Sequence, residues 1–280
     1  MTAGAGDAPG ASAAADARNS APDAVGPRIK ICGVTQSDDA VRIVAAGADY
    51  LGLNFWPRSK RHVSPERAAA IAAAVRAAGA AGTAPAAVAA GAAGGVRAAG
   101  VTGAGGARAA GVTGAAGVAR EAWLVGLFVN QPAHEIAAIQ NAVALDVIQL
   151  HGDETPDDVA LIARTTGLPI WKAIAVGSPA DLDDLDRWPV AALLLDAPTA
   201  GRGGAGVTFD WALAAEACRR YPTRNFILAG GLTPANVAAA IAAVAPWAID
   251  VASGVESAPG LKDPIKVAAF LAAARPHRSS

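Results

Sequence analysis

Cysteine is almost absent from this chain of 280 residues, which has only Cys32 and Cys218. So widely separated a pair builds neither a disulfide framework nor a metal-ligand set, and it points to a reducing compartment. Charge imbalance is missing too. A formal net charge of −1 gives no bulk attraction to polyanions, so neither nucleic acid nor an anionic membrane surface is an expected partner. No apolar run approaches the roughly 18 residues of a membrane span. The N-terminus lacks the basic start and apolar stretch of a signal peptide. These absences make a cytoplasmic protein the expectation.

Two further stretches lack large side chains. Residues 1–27 are mostly Ala, Gly, Ser, Pro and Asp, which cannot bury enough surface to offset their ordering entropy, so the sequence predicts a disordered tail. Residues 79–121 are dominated by Ala, Gly, Val and Thr, and the heptapeptide starting at Arg97 recurs at Arg108. A period of about eleven residues is too short and too glycine-rich for a solenoid module. The stretch reads as a low-complexity insertion, with a partner-binding arm as the alternative.

What is present, over residues 28–78 and 122–276, is a regular alternation expected to form one domain. Apolar runs at about 28–32, 50–55, 123–129, 147–150, 170–175, 192–195, 226–229 and 248–251 read as strands. The run at 123–129 is continuously apolar rather than alternating, as a strand buried on both faces is. Helical sequence follows each strand. Thr35 caps the first helix from about Gln36, Ser64 and Pro65 open the second, and others are expected around 179–185 and 234–244. Eight strand–helix units close into a parallel (β/α)8 TIM barrel. An open doubly wound sheet would prefer a glycine-rich dinucleotide turn after strand 1, where this chain has Cys32-Gly33-Val34-Thr35.

In such a barrel the chemistry sits at the carboxyl ends of the strands. That rule assigns Cys32, the basic loop Arg58–Arg61, Asn130, His151, Lys172, Asp196, Gly230-Gly231 and Ser253-Gly254 to the active face. The tail and the insertion, which lies between helix 2 and strand 3, fall on the opposite face. Cys32 is either a small buried hydrophobe or a reactive thiol; its place at a strand's end before Gly33 favours the thiol. Asp196 either caps a turn or faces Cys32 across the mouth as the acid of a proton-transfer pair. Gly230-Gly231, Ser253-Gly254 and the Gly203–Gly206 loop stand where this fold binds phosphate through backbone N–H groups; three tight turns are the plainer reading. Arg61 is suited to a carboxylate, and His151 either contacts ligand or bonds the rim. Cys218, mid-helix, is structural.

Seven ordered segments resemble one family. They are Lys30–Thr35, Phe55–Arg61, Gln149–Asp153, Leu194–Asp196, Thr208–Trp211, Ala229–Leu232 and Asp250–Glu256, and together they are similar to phosphoribosylanthranilate isomerase. The resemblance covers nearly the whole barrel and omits the tail and the insertion. It implies an Amadori rearrangement in tryptophan biosynthesis, with no cofactor or metal and a small phosphorylated substrate as partner. It further implies Asp196 as general acid, Cys32 as the base that removes the C2 proton, and Arg61 against the anthranilate carboxylate. Gly230, Gly231, Ser253 and Gly254 match phosphate-binding positions, and Asp250 a carboxylate lining the pocket. The chain departs from the pattern at Ala205, Val207 and Ala252, where relatives carry more polar side chains. A histidine-pathway barrel isomerase would want an aspartate at Cys32. A non-catalytic phosphate-binding barrel would have no use for the pair. Monomer and homodimer stay equally open.

Overall fold

Short runs of Val, Ile and Leu joined by amphipathic helices have one favourable arrangement, parallel strands buried on both faces with helices outside. The computed structural model, which describes residues 26–80, 122–198 and 210–275, shows that arrangement. Eight parallel strands form a closed barrel in chain order. They are β1 (Arg28–Cys32), β2 (Tyr50–Asn54), β3 (Trp123–Phe128), β4 (Val147–Leu150), β5 (Ile170–Ala175), β6 (Ala192–Asp196), β7 (Phe226–Leu228) and β8 (Ala248–Val251). β1 pairs with both β2 and β8, which closes the ring.

The helices are α1 (Ser37–Ala45), α2 (Pro65–Ala80), α3 (Ala133–Val143), α4 (Pro156–Thr166), α5 (Trp211–Arg220), α6 (Val237–Val244) and α7 (Pro264–Ala274). Thr155 and Pro156 start α4 with a reciprocal capping box to Asp158, and Asp263 caps α7 through the Ile265 and Lys266 N–H groups, each removing orphan donors. No helix among the described residues is long and apolar enough to cross a membrane.

Several local expectations are corrected. No α-helix follows β5. Two 3-10 turns, Pro179–Leu182 and Leu185–Arg187, stand there instead, interrupted by Asp184 in the left-handed region at φ 57°. α6 starts at Val237 rather than Pro234, because Asn236 folds back to accept from Thr233 N–H and donate to the Gly231 carbonyl. Thr35 does not cap α1; its hydroxyl donates to the Gly260 carbonyl at 2.6 Å. Residues 79 and 80 still belong to α2. The expected tail up to residue 25, the insertion from residue 81 and the Gly203–Gly206 loop lie outside the described residues. α2 leads back to the end of the barrel where β3 begins, the face opposite the strands' carboxyl ends.

Period-two alternation divides each strand between two cores. Outward residues such as Ile29, Ile31, Leu51 and Leu53 pack under the helices. Inward residues fill the barrel, and its N-terminal end is closed by aromatics: Tyr50 lies 4.9 Å from Trp171 and 6.2 Å from Trp247, ring centre to centre. Val125, Val147, Leu194 and Ile227 join this layer. A small apolar group, Cys32, Leu127 and Val129, sits at the other end. The floor is plugged, so the barrel opens only at its carboxyl end.

Candidate active site

That open end holds a cavity of about 640 Å³. Its lining includes Cys32, Arg61, His151, Asp196, Gly230, Gly231, Asp250, Ser253 and Gly254, so the candidate catalytic and substrate-binding residues are brought to one place. Lys172 and Asn130 are not among them. Lys172 faces outward from β5 and is buried against Glu154 at 3.1 Å and the Gly152 carbonyl at 2.7 Å. Asn130, held at φ 56°, accepts from Asp153 N–H and donates its own N–H to Glu154. Both hold the loop that carries His151 and do not reach the cavity.

Cys32 ends β1 on the inward face and is nearly buried. Burial pushes its thiol up; Lys30 and Lys262 pull the other way, and Asp250 adds to the rise. Asp196 ends β6, also inward and nearly buried. Its Oδ1 accepts from Ala197 N–H at 2.8 Å, and its Oδ2 stands 3.7 Å from His151 Nε2. Burial raises this carboxyl to about 6, with the Asp250 charge adding to the rise. At pH 7 about a tenth of it carries a proton, which leaves a working fraction for a general acid. The Gln149 amide meets His151 Nδ1 at 3.3 Å. An amide N–H donated there leaves the proton on Nε2, turned to Asp196.

Arg61, expected to grip a ligand carboxylate, already makes a bidentate pair inside the protein. Its Nε and Nη2 donate to Glu256 at 2.8 and 2.7 Å, leaving the Nη1 edge for a ligand. Glu256 opens the hairpin of β9 (Glu256–Ala258) and β10 (Leu261–Lys262), an element the sequence did not announce. Lys262 Nζ reaches back to Glu256 at 2.8 Å and to the Cys32 carbonyl at 2.6 Å. Burial works to raise the Glu256 carboxyl, but Arg61 and Lys262 overcome it and hold it low. The hairpin is thereby tied to β1 directly behind the thiol.

The glycines after β7 and β8 are set by geometry. Gly230 and Gly231 take φ of 82° and 67°, the left-handed region where glycine is favoured. A Cβ on Gly254 would fall 1.9 Å from the Leu232 carbonyl oxygen. Only glycine lets these two loops touch, and their contact brings Gly230-Gly231 beside the short turn Ser253–Val255.

Four residues of this constellation were not singled out from the sequence: Lys30, Gln149, Glu256 and Lys262. The first two carried a readable signal. Each is a polar residue inside an apolar strand, two positions before a candidate site residue and so on the same face. Glu256 and Lys262 had none, since their partners lie on β1 and in the loop after β2.

Comparison with known proteins bears on the family. A family model described as N-(5'phosphoribosyl)anthranilate (PRA) isomerase matches residues 108–273. The N-(5'-phosphoribosyl)anthranilate isomerase of Paracoccus denitrificans (strain Pd 1222) is 40% identical over 252 residues, covering 88% of this chain and 96% of that one. The crystal structure of phosphoribosyl anthranilate isomerase from Thermotoga maritima superposes with a TM-score of 0.67 at 32% identity, over 89% of this chain and 98% of that one. Another such isomerase, solved in complex with reduced 1-(o-carboxyphenylamino)-1-deoxyribulose 5-phosphate, gives a TM-score of 0.64 at 30% identity, over 89% and 98% of the two chains. The chain belongs to the N-(5'-phosphoribosyl)anthranilate isomerase family.

Proposed function

We infer that this protein isomerises N-(5-phosphoribosyl)anthranilate to 1-(2-carboxyphenylamino)-1-deoxyribulose 5-phosphate, an Amadori rearrangement in tryptophan biosynthesis. The observation that carries the reading is one cavity lined by Cys32 and Asp196 together with the Gly230-Gly231 and Ser253-Gly254 turns.

The substrate phosphate lies against those two turns, where backbone N–H groups meet it without a lysine. The anthranilate carboxylate takes the Nη1 edge of Arg61. Asp196 protonates the furanose ring oxygen, the C1–O bond breaks, and the ring opens to a cationic Schiff base. The raised carboxyl suits this step, since a group near 6 gives up its proton more readily than one near 10 and still holds some at neutral pH. Cys32, as thiolate, removes the C2 proton, and the C2–H electrons neutralise the iminium nitrogen to give an enolamine. Protonation at C1 and loss of the hydroxyl proton at C2 then form the ketone. Overall a proton leaves C2 and one is added at C1, and the C2 hydroxyl proton replaces the one given to the former ring oxygen, so Cys32 and Asp196 are regenerated and nothing is consumed. Asp250 lines the cavity beside Cys32, and His151 orients Asp196.

The test is to generate phosphoribosylanthranilate in situ from anthranilate and follow loss of its fluorescence with the purified protein, identifying the product by mass and retention time. Enzyme-dependent loss that yields the aminodeoxyribulose phosphate is expected. Saturable quenching or binding without product would replace the isomerase by a phosphate-binding barrel.

A further inference from the structure

A base at neutral pH has to be a thiolate, yet burial drives Cys32 toward the thiol. Something in the fold has to oppose that. On the same face of β1, two residues before the thiol, lies Lys30, a lysine with no exposed surface. Its Nζ donates to both Asp250 oxygens at 3.0 Å, and the Cys32 side chain lies near enough to favour its charged form. An ammonium has three protons, and the two bonds to Asp250 leave one for the neighbouring sulfur.

The neighbouring strand is shaped around the same pair. Gly52 on β2 stands level with Cys32. A Cβ there would fall 2.8 Å from the Cys32 sulfur and 3.0 Å from Lys30 Nζ. A side chain at position 52 would therefore push thiol and ammonium apart. A fully buried lysine is also a poor way to stabilise a barrel, where a close-packed apolar residue does as well or better. Its presence calls for a role in the site.

We propose that Lys30 is the positioning residue that makes Cys32 a base, donating to the sulfur from below and holding it as a thiolate aimed into the cavity. The charges around the sulfur fit that assignment. Lys30 on β1, Lys262 on β10 and Arg61 after β2 face it as cations, while Asp250 on β8 and Glu256 on β9 are their carboxylate partners. Asp196 on β6, protonated when the acid is ready to act, adds no charge. One positive charge is left over in the cluster, and a Cys32 thiolate neutralises it. Asp250 keeps Lys30 charged, since its attraction and that of Cys32 outweigh the burial that would strip the proton.

The proposal rests on the isomerase reading for its purpose but is testable without substrate. The pH dependence of Cys32 alkylation by iodoacetamide, read on the Cys32 peptide by mass spectrometry with Cys218 as internal control, reports the thiolate directly. It would be measured in wild type, in Lys30→Met, in Asp250→Asn, and in Lys30→Met/Asp250→Asn, which leaves no unpaired buried carboxylate and, read against Asp250→Asn, keeps the test alive where Lys30→Met fails to fold. The midpoint is expected to rise by at least about one unit from wild type to Lys30→Met, and from Asp250→Asn to the double variant, a tenfold loss of thiolate at pH 7, with Cys218 unchanged. The acid limb of the kcat/KM profile should move with it. A midpoint in the folded double variant within about 0.3 units of that in Asp250→Asn overturns the proposal. If the midpoint moves in a protein that shows no turnover, the isomerase reading falls and the Lys30–Cys32 coupling stands.

Discussion

Replacing Asp196 by Asn should stabilise the protein while disabling it. The native carboxyl sits near 6 instead of 3.8 because burial penalises its charged form. Between those values the folded protein holds a proton that the unfolded chain has released. Stability therefore falls as pH rises through the window, and the whole penalty is in force above about pH 7. A displacement of about two units corresponds to about 3 kcal/mol as a ceiling, and relaxation around the mouth of the cavity trims it to about 1–3 kcal/mol. Asn removes the charge and can still accept from Ala197 N–H. Chemical denaturation at pH 7 should show that gain, and at pH 4.5 most of it should vanish because native Asp196 is then neutral as well. Over the same substitution kcat should drop by about 10²–10⁴, the range for one general acid. A variant no more stable than wild type at pH 7, with the same slope of stability against pH, would refute the buried-charge reasoning.

Three other outcomes follow from the geometry. Arg61→Lys keeps the charge but loses the fork that holds Glu256 and a ligand carboxylate together; KM should rise about tenfold to a hundredfold, with a smaller change in kcat, as steady-state kinetics would show. Gly254→Ala forces a methyl group onto the Leu232 carbonyl and separates the two glycine turns. Titration calorimetry with the reduced product analogue should show at least about a tenfold weaker Kd. Replacing residues 81–121 by a short Gly-Ser linker should leave kcat/KM within about threefold, since loop length acts only weakly on stability and the flanking elements lie away from the cavity; a larger fall in the fluorescence assay would put this segment at the site.

The barrel was legible because its signal is repetitive. A doubly buried strand cannot hide among alanine-rich helices when it is built from Trp123–Phe128 or Leu193–Leu195, and the fold then fixes which strand ends carry chemistry. Cys32, Asp196 and the glycine pairs followed from that rule alone. The same rule overreached at Lys172, where strand phase matters: one step along β5 turns its side chain from the cavity to the helix layer. Asp184 in the left-handed region and the Asn236 turn escaped because local polar bonding overrode helical spacing. The Arg61–Glu256–Lys262 network escaped for another reason. It joins residues about 200 positions apart, and sequence patterns of period two or 3.6 carry no information at that range. Lys30 was visible as an anomaly, a cation in an apolar strand, but only the contact with Cys32 gives it meaning.

The central claim is that Cys32 acts as a base and forms no bond to the substrate. Stopped-flow fluorescence on phosphoribosylanthranilate, with wild type and Cys32→Ala at matched saturation, tests it most directly. Cys32→Ala should bind the reduced product analogue with nearly unchanged Kd while kcat falls by about 10² or more. No covalent adduct should appear by intact mass during wild-type turnover. A Cys32→Ala enzyme that turns over within about tenfold of wild type, or a trapped adduct on Cys32, would contradict it.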